Sequence, residues 1–184
     1  MYTTVQRQQM LSTARESIRH GLHFGSRPSP DHGSVDSTLL KTAASFVTLM
    51  INRELRGCIG SLSAREPLID DISYNAYSAA FKDSRFTPTS ENDIENLTIH
   101  IAVLSASEPV KFHSEENLIQ QLRPNIDGIV LCDGIYQATF LPAVWAQLRK
   151  PRDFIEHLKL KAGLSKDHWS HTITIERYTV DSIA

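Results

Sequence analysis

The chain has 184 residues, of which 41% are hydrophobic and 22% are charged, and its formal net charge is -2 at neutral pH. This composition suits a globular protein with one full core, and the near-neutral charge argues against a nucleic-acid-binding protein, which usually carries a basic face. Two cysteines, Cys58 and Cys132, are too few for a disulfide framework. The polar stretch from Thr3 to Gln9 lacks the apolar region of a secretory signal, and no apolar run approaches the roughly 20 residues of a membrane span. We therefore expect a cytoplasmic protein with free thiols and no membrane contact.

The N-terminal part is predicted to be one helix and one loop. Residues 4–23 carry an apolar stripe at spacings of three and four, formed by Leu11, Ala14, Ile18 and Leu22. Residues 25–38 are rich in Gly, Pro, Ser and Asp, which is typical of an exposed loop.

Residues 45–105 predict a hairpin, a helix and a strand. The β-branched, apolar run 45–51 and the run "LRGCIGSL" at 55–62 are separated by a short polar turn. Pro67 suits the first turn of a helix that ends near Lys82. Residues 97–105 alternate strictly between apolar and other side chains, as a half-buried strand does.

Residues 127–180 repeat this order after a short helix at 114–122. Strands at 128–132 and 135–141 flank Asp133-Gly134, a strong signal for a two-residue turn. Helical segments follow Pro142 and Pro151, and residues 172–180 are predicted to form one last strand.

The two stretches 45–105 and 127–180 share one order of elements, which indicates a cryptic duplication. Hairpins covered by helices give an α+β architecture, with antiparallel or mixed sheets, packed helices and an extra N-terminal helix. We expect residues 1–184 to form a single domain.

The run "LRGCIGSL" is the first candidate site. Side chains alternate along a strand, so Arg56 and Cys58 should share one face while Leu55, Gly57 and Ile59 share the other. An arginine close to a thiol favours the reactive thiolate. Glycines within a strand, here Gly57 and Gly60, indicate either a bulge or a close backbone approach by another group, for example a ligand. The alternative is that Cys58 is a small buried packing residue and that the glycines relieve crowding between helix and sheet.

A second candidate lies in "NAYSAAFKDSRF", from Asn75 to Phe86. Asp83 and Arg85 follow the predicted helix, where they form either a local ion pair or part of a cleft beside Arg56. Two arginines and one carboxylate would leave a net positive site for an anionic ligand.

A series of motifs follows along the chain: "FVTL", "LRGCIGSL", "NAYSAAFKDSRFTP", "DGIVL", "FLPAVW" and "KAGLSKDHW". In these motifs and in their order, the sequence resembles the AMMECR domain family, named for the AMME syndrome candidate gene. The resemblance spans about residues 10–180. It implies a cytosolic or nuclear α+β domain with a duplicated core. In prokaryotes the family is often encoded beside a Memo-like dioxygenase homologue and a radical-SAM protein, which implies a shared system. His100 departs from the family pattern, and the strand alternation predicts that it is exposed.

Metal and cofactor sites have little support in the sequence. The pairs His20/His23 and His168/His171 lack further ligands at suitable spacing, so surface or capping histidines are the better interpretation. The segment "RGCIG" has no lysine and is not a phosphate-cradling loop, and no G-x-S-x-G motif is present. We expect no metal and no cofactor.

Two functions of different classes remain. In the first, the chain is an accessory or binding component, associated with Memo-like and radical-SAM proteins, whose motif forms an anion-binding groove. The ligand contacts would be Arg56, Gly57, Gly60, Asn75, Asp83, Arg85 and Phe86. In the second, Cys58 is the nucleophile of an enzyme that acts on a small anionic substrate or a protein, and its general base is not identified.

Overall fold

The computed structural model describes residues 1–184 and contains two compact units. The first comprises Met1–Leu104 and Asp181–Ala184, and the second comprises Ser105–Val180. Four α-helices and two four-stranded sheets make the fold α+β, as predicted.

The sheet of the first unit has the strand order β2-β1-β3-β8. Its strands are β1 (Ala44–Ile51), β2 (Glu54–Gly60), β3 (Leu97–Leu104) and β8 (Val180–Ile183). Strand β1 pairs antiparallel with both β2 and β3. Asn52 and Arg53 connect β1 to β2 and have positive φ angles of 52° and 68°. A two-residue loop with two positive φ angles matches the right-handed twist of the strands it joins.

Helices α1 (Thr4–Phe24) and α2 (Leu68–Phe81) cover one face of this sheet. Thr3 and Gln6 form a capping box that satisfies backbone donors at the start of α1, and Gly25 ends the helix with a φ of 66°. The core consists of apolar side chains from both helices and the sheet: Met10, Ala14, Ile18, Leu68, Ile72, Ala76, Val47, Leu49, Ile99 and Ile101.

The segment between α1 and β1 has no helix or strand until a 3-10 turn at Ser37–Leu40. Side chains attach it to α2. The imidazole Nε2 of His32 lies 2.8 Å from the Asp70 carboxylate, and the Arg27 guanidinium lies 5.2 Å from the centre of the Tyr74 ring. The predicted loop therefore has specific contacts along its length.

The sheet of the second unit has the strand order β4-β7-β5-β6. Its strands are β4 (Glu108–Pro109), β5 (Gly128–Asp133), β6 (Tyr136–Phe140) and β7 (Thr174–Tyr178), and its helices are α3 (Glu115–Gln121) and α4 (Pro151–Lys161). The core of this unit contains Leu118, Ile129, Leu131, Trp145, Phe154, Ile155 and Leu158.

The turn between β5 and β6 lies one residue later than predicted. Asp133 pairs with Tyr136, so the two loop residues are Gly134 and Ile135 rather than Asp133 and Gly134. Gly134 takes the left-handed conformation, with a φ of 60°. Asp133 remains in the strand because three side chains donate hydrogen bonds to its carboxylate.

The two sheets share one connectivity. In each, a hairpin is followed by a helical segment and by a return strand that pairs with the first strand of the hairpin, giving β2-β1-β3 and β6-β5-β7. That the two units arose by duplication stays a prediction.

The prediction of one last strand over residues 172–180 is wrong. The chain forms β7 in the second sheet and then β8 in the first. The break falls at Thr179, whose amide donates to Ser105 Oγ over 3.0 Å and whose carbonyl accepts from the Ser105 amide over 2.9 Å. A continuous run of strand-forming residues does not show where the hydrogen-bonding partner changes.

Candidate functional site

Cys58 lies on β2, at the edge of the first sheet. Its backbone amide and carbonyl point away from the neighbouring strand β1. Its amide donates to Asp83 Oδ2 over 2.9 Å, and its carbonyl accepts from Arg85 Nη2 over 3.1 Å. Two side chains therefore take the hydrogen-bonding positions that a further strand would occupy.

Asp83 and Arg85 form a two-pronged ion pair directly after α2. Arg85 Nε and Nη2 lie 2.9 Å and 2.7 Å from the two carboxylate oxygens of Asp83. The Asp83 side chain is 4% exposed, whereas that of Arg85 is 58% exposed. Hydrogen bonding from Arg85 holds the pKa of Asp83 well below its ordinary value. The hydrogen bond to the Asp83 carboxylate raises the pKa of Arg85.

Arg85 presents an open cation to solvent. Its Nε and Nη2 bind Asp83 and the Cys58 carbonyl, while Nη1 makes no hydrogen bond within the chain. The guanidinium carbon lies 5.3 Å from the centre of the Phe86 ring, within the range of a cation–π contact. Phe86 thus contributes to the position of Arg85.

The guanidinium of Arg56 binds the segment after Arg85 and makes no hydrogen bond to Cys58. Its Nη1 donates to the Thr87 carbonyl over 2.6 Å, and its Nη2 donates to Thr87 Oγ1 over 2.9 Å. The Asp93 carboxylate lies 3.9 Å from Nη2. Asp93 supplies a second negative charge that the sequence reasoning did not count.

A β-bulge at Arg56 breaks the alternation predicted for this strand. Gly57 lies opposite Leu49 and Leu55 lies opposite Met50, so that Arg56 has no partner of its own on β1. The prediction that Leu55 shares a face with Gly57 is therefore wrong, because the extra residue shifts the register. Leu55 is 43% exposed.

The space beside both glycines of the motif is filled by the chain itself. A Cβ atom at Gly57 would lie 2.1 Å from the carbonyl oxygen of Ala79 on α2. One at Gly60 would lie 2.3 Å from the Phe46 ring and 2.5 Å from the Ser45 carbonyl oxygen. These contacts support the packing alternative, in which glycine lets α2 and β1 approach β2 closely, and they leave no space for a ligand at these two positions.

Asn75 is buried inside the first unit and is occupied by a polar network. Its Nδ2 donates to the Asp71 carboxylate over 2.9 Å and to the Ser45 carbonyl over 3.1 Å. Ser45 also donates its amide and its hydroxyl to the same Asp71 oxygen, over 2.8 Å and 2.6 Å. Burial raises the pKa of Asp71 to about 6 despite these bonds. Asn75 is accordingly a structural residue.

Cross-strand register places His100 in one row with Cys58. Thr48 on β1 lies opposite both Cys58 on β2 and His100 on β3. Thr48 Oγ1 lies 3.2 Å from Cys58 Sγ. Residues opposite each other point to the same face, so the thiol, the hydroxyl and the imidazole share the face away from α2. His100 is exposed, as predicted.

A second polar cluster lies in the second unit, around the carboxylate of Asp133. His168 Nε2 lies 2.7 Å from this carboxylate, Ser170 Oγ donates to it over 2.9 Å and Thr172 Oγ1 donates over 2.6 Å. Hydrogen bonds from Thr172, His168 and Ser170 lower the pKa of Asp133 to about 2. Ser170 makes no hydrogen bond to His168, so the cluster lacks the base–nucleophile contact of a hydrolytic triad.

No three His, Cys, Asp or Glu side chains come close enough together to hold a metal ion. No helix has both the length and the hydropathy to cross a membrane.

The AMMECR1 family model matches residues 11–183. The chain belongs to the AMMECR1 family. A Thermotoga maritima protein is 31% identical to it over 166 residues, which cover 89% of this chain and 90% of that protein. A Methanosarcina mazei protein is 30% identical over 172 residues, or 92% of this chain and 86% of that one.

Other members of the family are longer than the region they share with this chain. The match to Methanocaldococcus jannaschii protein MJ0810 is 32% identical and covers 64% of this chain but only 59% of that protein. Among solved structures, the uncharacterized protein PH0010 from Pyrococcus horikoshii is 26% identical, with a TM-score of 0.85. That likeness covers 96% of this chain and 90% of the Pyrococcus chain.

Sequence reasoning missed three contributors in this AMMECR1-family chain: Thr48, His100 as a neighbour of Cys58, and Asp93. Each reaches the site through strand register or through a loop far away in sequence. The alternating pattern of β3 indicated that His100 is exposed, but only the register of three strands shows that it lies in the row of Cys58.

Proposed function

We propose that this AMMECR1-family chain is a cytoplasmic binding component that takes an anionic group at Arg85, beside Cys58. The observation that carries the proposal is the unequal exposure of one ion pair. Its carboxylate is almost fully buried, while its guanidinium is mostly exposed and keeps Nη1 free. A ligand that approaches this edge of the sheet therefore meets the cation before it meets the anion.

The fixed position of Arg85 favours selective binding. Three hydrogen bonds and the Phe86 ring hold the guanidinium, so little side-chain freedom is lost when a ligand binds. A guanidinium held in this way suits a carboxylate or a phosphate. Arg56 and Asp93 contribute opposite charges nearby, so Arg85 is the contact that we assign.

The partners in this proposal are the Memo-like and radical-SAM proteins implied by the family resemblance. An acidic side chain of such a partner, or a small anion shared with it, would occupy the Arg85 position. Co-purification from the native host at endogenous levels tests the association. Repeated recovery of this chain alone would leave the partnership unsupported.

A pair of alkylating reagents of similar size tests the charge at the site. Iodoacetate carries a negative charge and iodoacetamide is neutral. The rate of Cys58 alkylation by iodoacetate, divided by the rate with iodoacetamide, therefore reports the local electrostatic potential. We expect Arg85→Gln to lower this ratio and Arg85→Lys to restore part of it. Arg65→Gln is the matched control, because Arg65 is exposed and its substitution removes the same charge elsewhere. An equal ratio in all four proteins would contradict the proposal.

The row of Cys58, Thr48 and His100 favours a second candidate, a cysteine-dependent enzyme. The Thr48 hydroxyl lies within hydrogen-bonding distance of the thiol, and His100 is the imidazole in that row. With two strand spacings of about 4.8 Å between them, the backbones of Cys58 and His100 are roughly 10 Å apart, so a substrate or a water would have to lie between the two groups. If His100 serves as the base, His100→Gln slows iodoacetamide alkylation of Cys58 and Arg65→Gln does not.

A further inference from the structure

A cavity of about 460 Å³ lies in the second unit. One wall is the segment that follows β4, Val110 to His113. The other consists of Trp169 to His171 and Ile173 to Ile175, which lead into and begin β7. The size falls within the range of pockets that hold small organic ligands.

Hydrogen bonds hold the segment from Val110 to His113 at two points. The Val110 amide donates to the Ile175 carbonyl over 2.8 Å, and Gln121 Nε2 donates to the Lys111 carbonyl over 3.0 Å. The backbone that carries Lys111 is therefore attached both to the sheet and to α3.

Aromatic rings form part of the lining. The rings of Phe112 and Trp169 pack against each other, with 5.5 Å between their centres and a tilt of 58°. Both residues are half-buried, so each keeps some ring surface accessible. Lys159, which is fully buried, holds the backbone beside Trp169, because its Nζ lies 2.7 Å from Glu115 Oε1 and 3.1 Å from the His168 carbonyl.

Several polar side chains of the cavity are solvent-accessible and have no partner within the chain. No hydrogen bond within the chain is made by Lys111 Nζ, by the imidazole rings of His113 and His171, or by Trp169 Nε1. The indole of the other tryptophan, Trp145, donates to the Asp127 carbonyl. No aspartate or glutamate lines the cavity. The Asp133 carboxylate accepts a hydrogen bond from the lining residue Ser170, together with those from His168 and Thr172.

We propose that this cavity binds a small organic anion that carries a flat aromatic group. The unpaired donors and the lysine would take the anionic end, a phosphate or a carboxylate, and the exposed ring surface of Phe112 and Trp169 would pack against the aromatic part. The proposal concerns different residues from those of the Cys58 site and does not depend on it.

The fluorescence of Trp169 provides a direct measurement. The other tryptophan, Trp145, is 1% exposed and stacks on Phe154, so it contributes a constant background. We would titrate the full chain with adenosine monophosphate and with benzoate, which differ in the anionic group. Adenosine and inorganic phosphate each supply only half of the proposed ligand. We expect saturable quenching by at least one of the two aromatic anions. If adenosine monophosphate binds, adenosine and inorganic phosphate should each bind about tenfold more weakly, or by roughly 1.4 kcal/mol.

Two substitutions inside the cavity and one outside it separate a specific site from general electrostatic attraction. Lys111→Gln should weaken binding of the aromatic anion by about tenfold, and His171→Gln should also weaken it. Lys166→Gln removes the same charge from an exposed residue outside the cavity and should leave binding unchanged. The proposal is overturned if neither aromatic anion gives saturable quenching, or if Lys111→Gln and Lys166→Gln bind equally well.

Discussion

The Asp83 carboxylate accepts the amide hydrogen of Cys58, a residue 25 positions earlier in the chain. An edge strand usually leaves such groups free, and they can then pair with a strand of another molecule. Here the pair formed by Asp83 and Arg85 occupies both the donor and the acceptor of Cys58. The pair therefore closes this part of the sheet edge and fixes the position of Arg85.

Asp83→Asn should loosen this edge. The neutral amide loses the ion pair with Arg85 and provides a weaker acceptor for the Cys58 amide, so we expect exchange of that hydrogen to accelerate roughly tenfold. Hydrogen exchange followed by NMR measures it. The matched control is Asp167→Asn, at an exposed position in the second unit. Unchanged protection of Cys58 in Asp83→Asn would show that Asp83 does not hold the edge.

The two cysteines should differ in reactivity. Burial and the nearby charge of Glu176 raise the pKa of Cys132, which reduces its thiolate fraction. We expect iodoacetamide to modify Cys58 faster than Cys132 in the folded protein, as followed by peptide mass spectrometry. Glu176→Gln should speed the reaction of Cys132 alone. Equal rates for both thiols, or a Cys58 that reacts only in denaturant, would return Cys58 to a packing role and remove the enzyme candidate.

Gly57→Ala should destabilise the first unit. The added Cβ would lie 2.1 Å from the Ala79 carbonyl oxygen, a backbone atom that cannot move without shifting α2. We expect a loss of about 1–3 kcal/mol in the free energy of unfolding, measured by urea denaturation. Gly33→Ala serves as the control, because its nearest contact is the Asp31 side chain at 3.3 Å. Equal stability of the two variants would contradict the close approach of α2.

Asp71→Asn should change how stability depends on pH. The pKa of Asp71 is raised to about 6 in the folded chain, compared with an ordinary value of 3.8. Between these pH values the folded chain binds more protons than the unfolded chain, so the contribution of Asp71 to stability falls as pH rises from about 4 to about 6.

The amide introduced by Asp71→Asn would keep an acceptor oxygen and remove the titration. The stability advantage of this variant over the natural chain should therefore grow between pH 4 and 6, by a difference on the order of 2 kcal/mol, and then stay constant. Urea denaturation at a series of pH values measures this. A difference that does not vary with pH would mean that Asp71 ionises in the folded protein as it does in the unfolded one.

Local patterns were sufficient to predict most elements of the fold. The apolar spacing of α1, the alternation of β3 and the two hairpins are properties of neighbouring residues, and the structure contains these elements. In α1 the buried face includes Met10 with the predicted Ala14 and Ile18, whereas Leu11 and Leu22 are half-buried. The glycines of β2 suggested a bulge, but its position at Arg56 and the change of sheet at Thr179 were not predictable in this way. They depend on which strand lies opposite, and a single sequence does not contain that information.

The candidate site was predicted in part. Asp83 and Arg85 do meet Cys58, but they bind its backbone rather than its thiol. Arg56 binds Thr87, and Asn75 is enclosed by Asp71 and Ser45, because partners far away in sequence compete for these polar groups. Residue type and spacing suggested which side chains could act, and tertiary contacts determined which ones remain available.

Strand β8 has a consequence for the way this chain folds as it is synthesised. The first sheet requires residues 180–183 beside β3, and Asp181 also accepts hydrogen bonds from the Tyr2 amide and from Arg7. Residues 1–104 are synthesised before this strand and begin to emerge from the ribosome without it. Until then, the outer edge of β3 is unpaired and open to other chains, the kind of exposure that chaperones protect during translation. The contacts between Tyr2 and Asp181 span 179 positions, so they form late and slow the completion of the first unit.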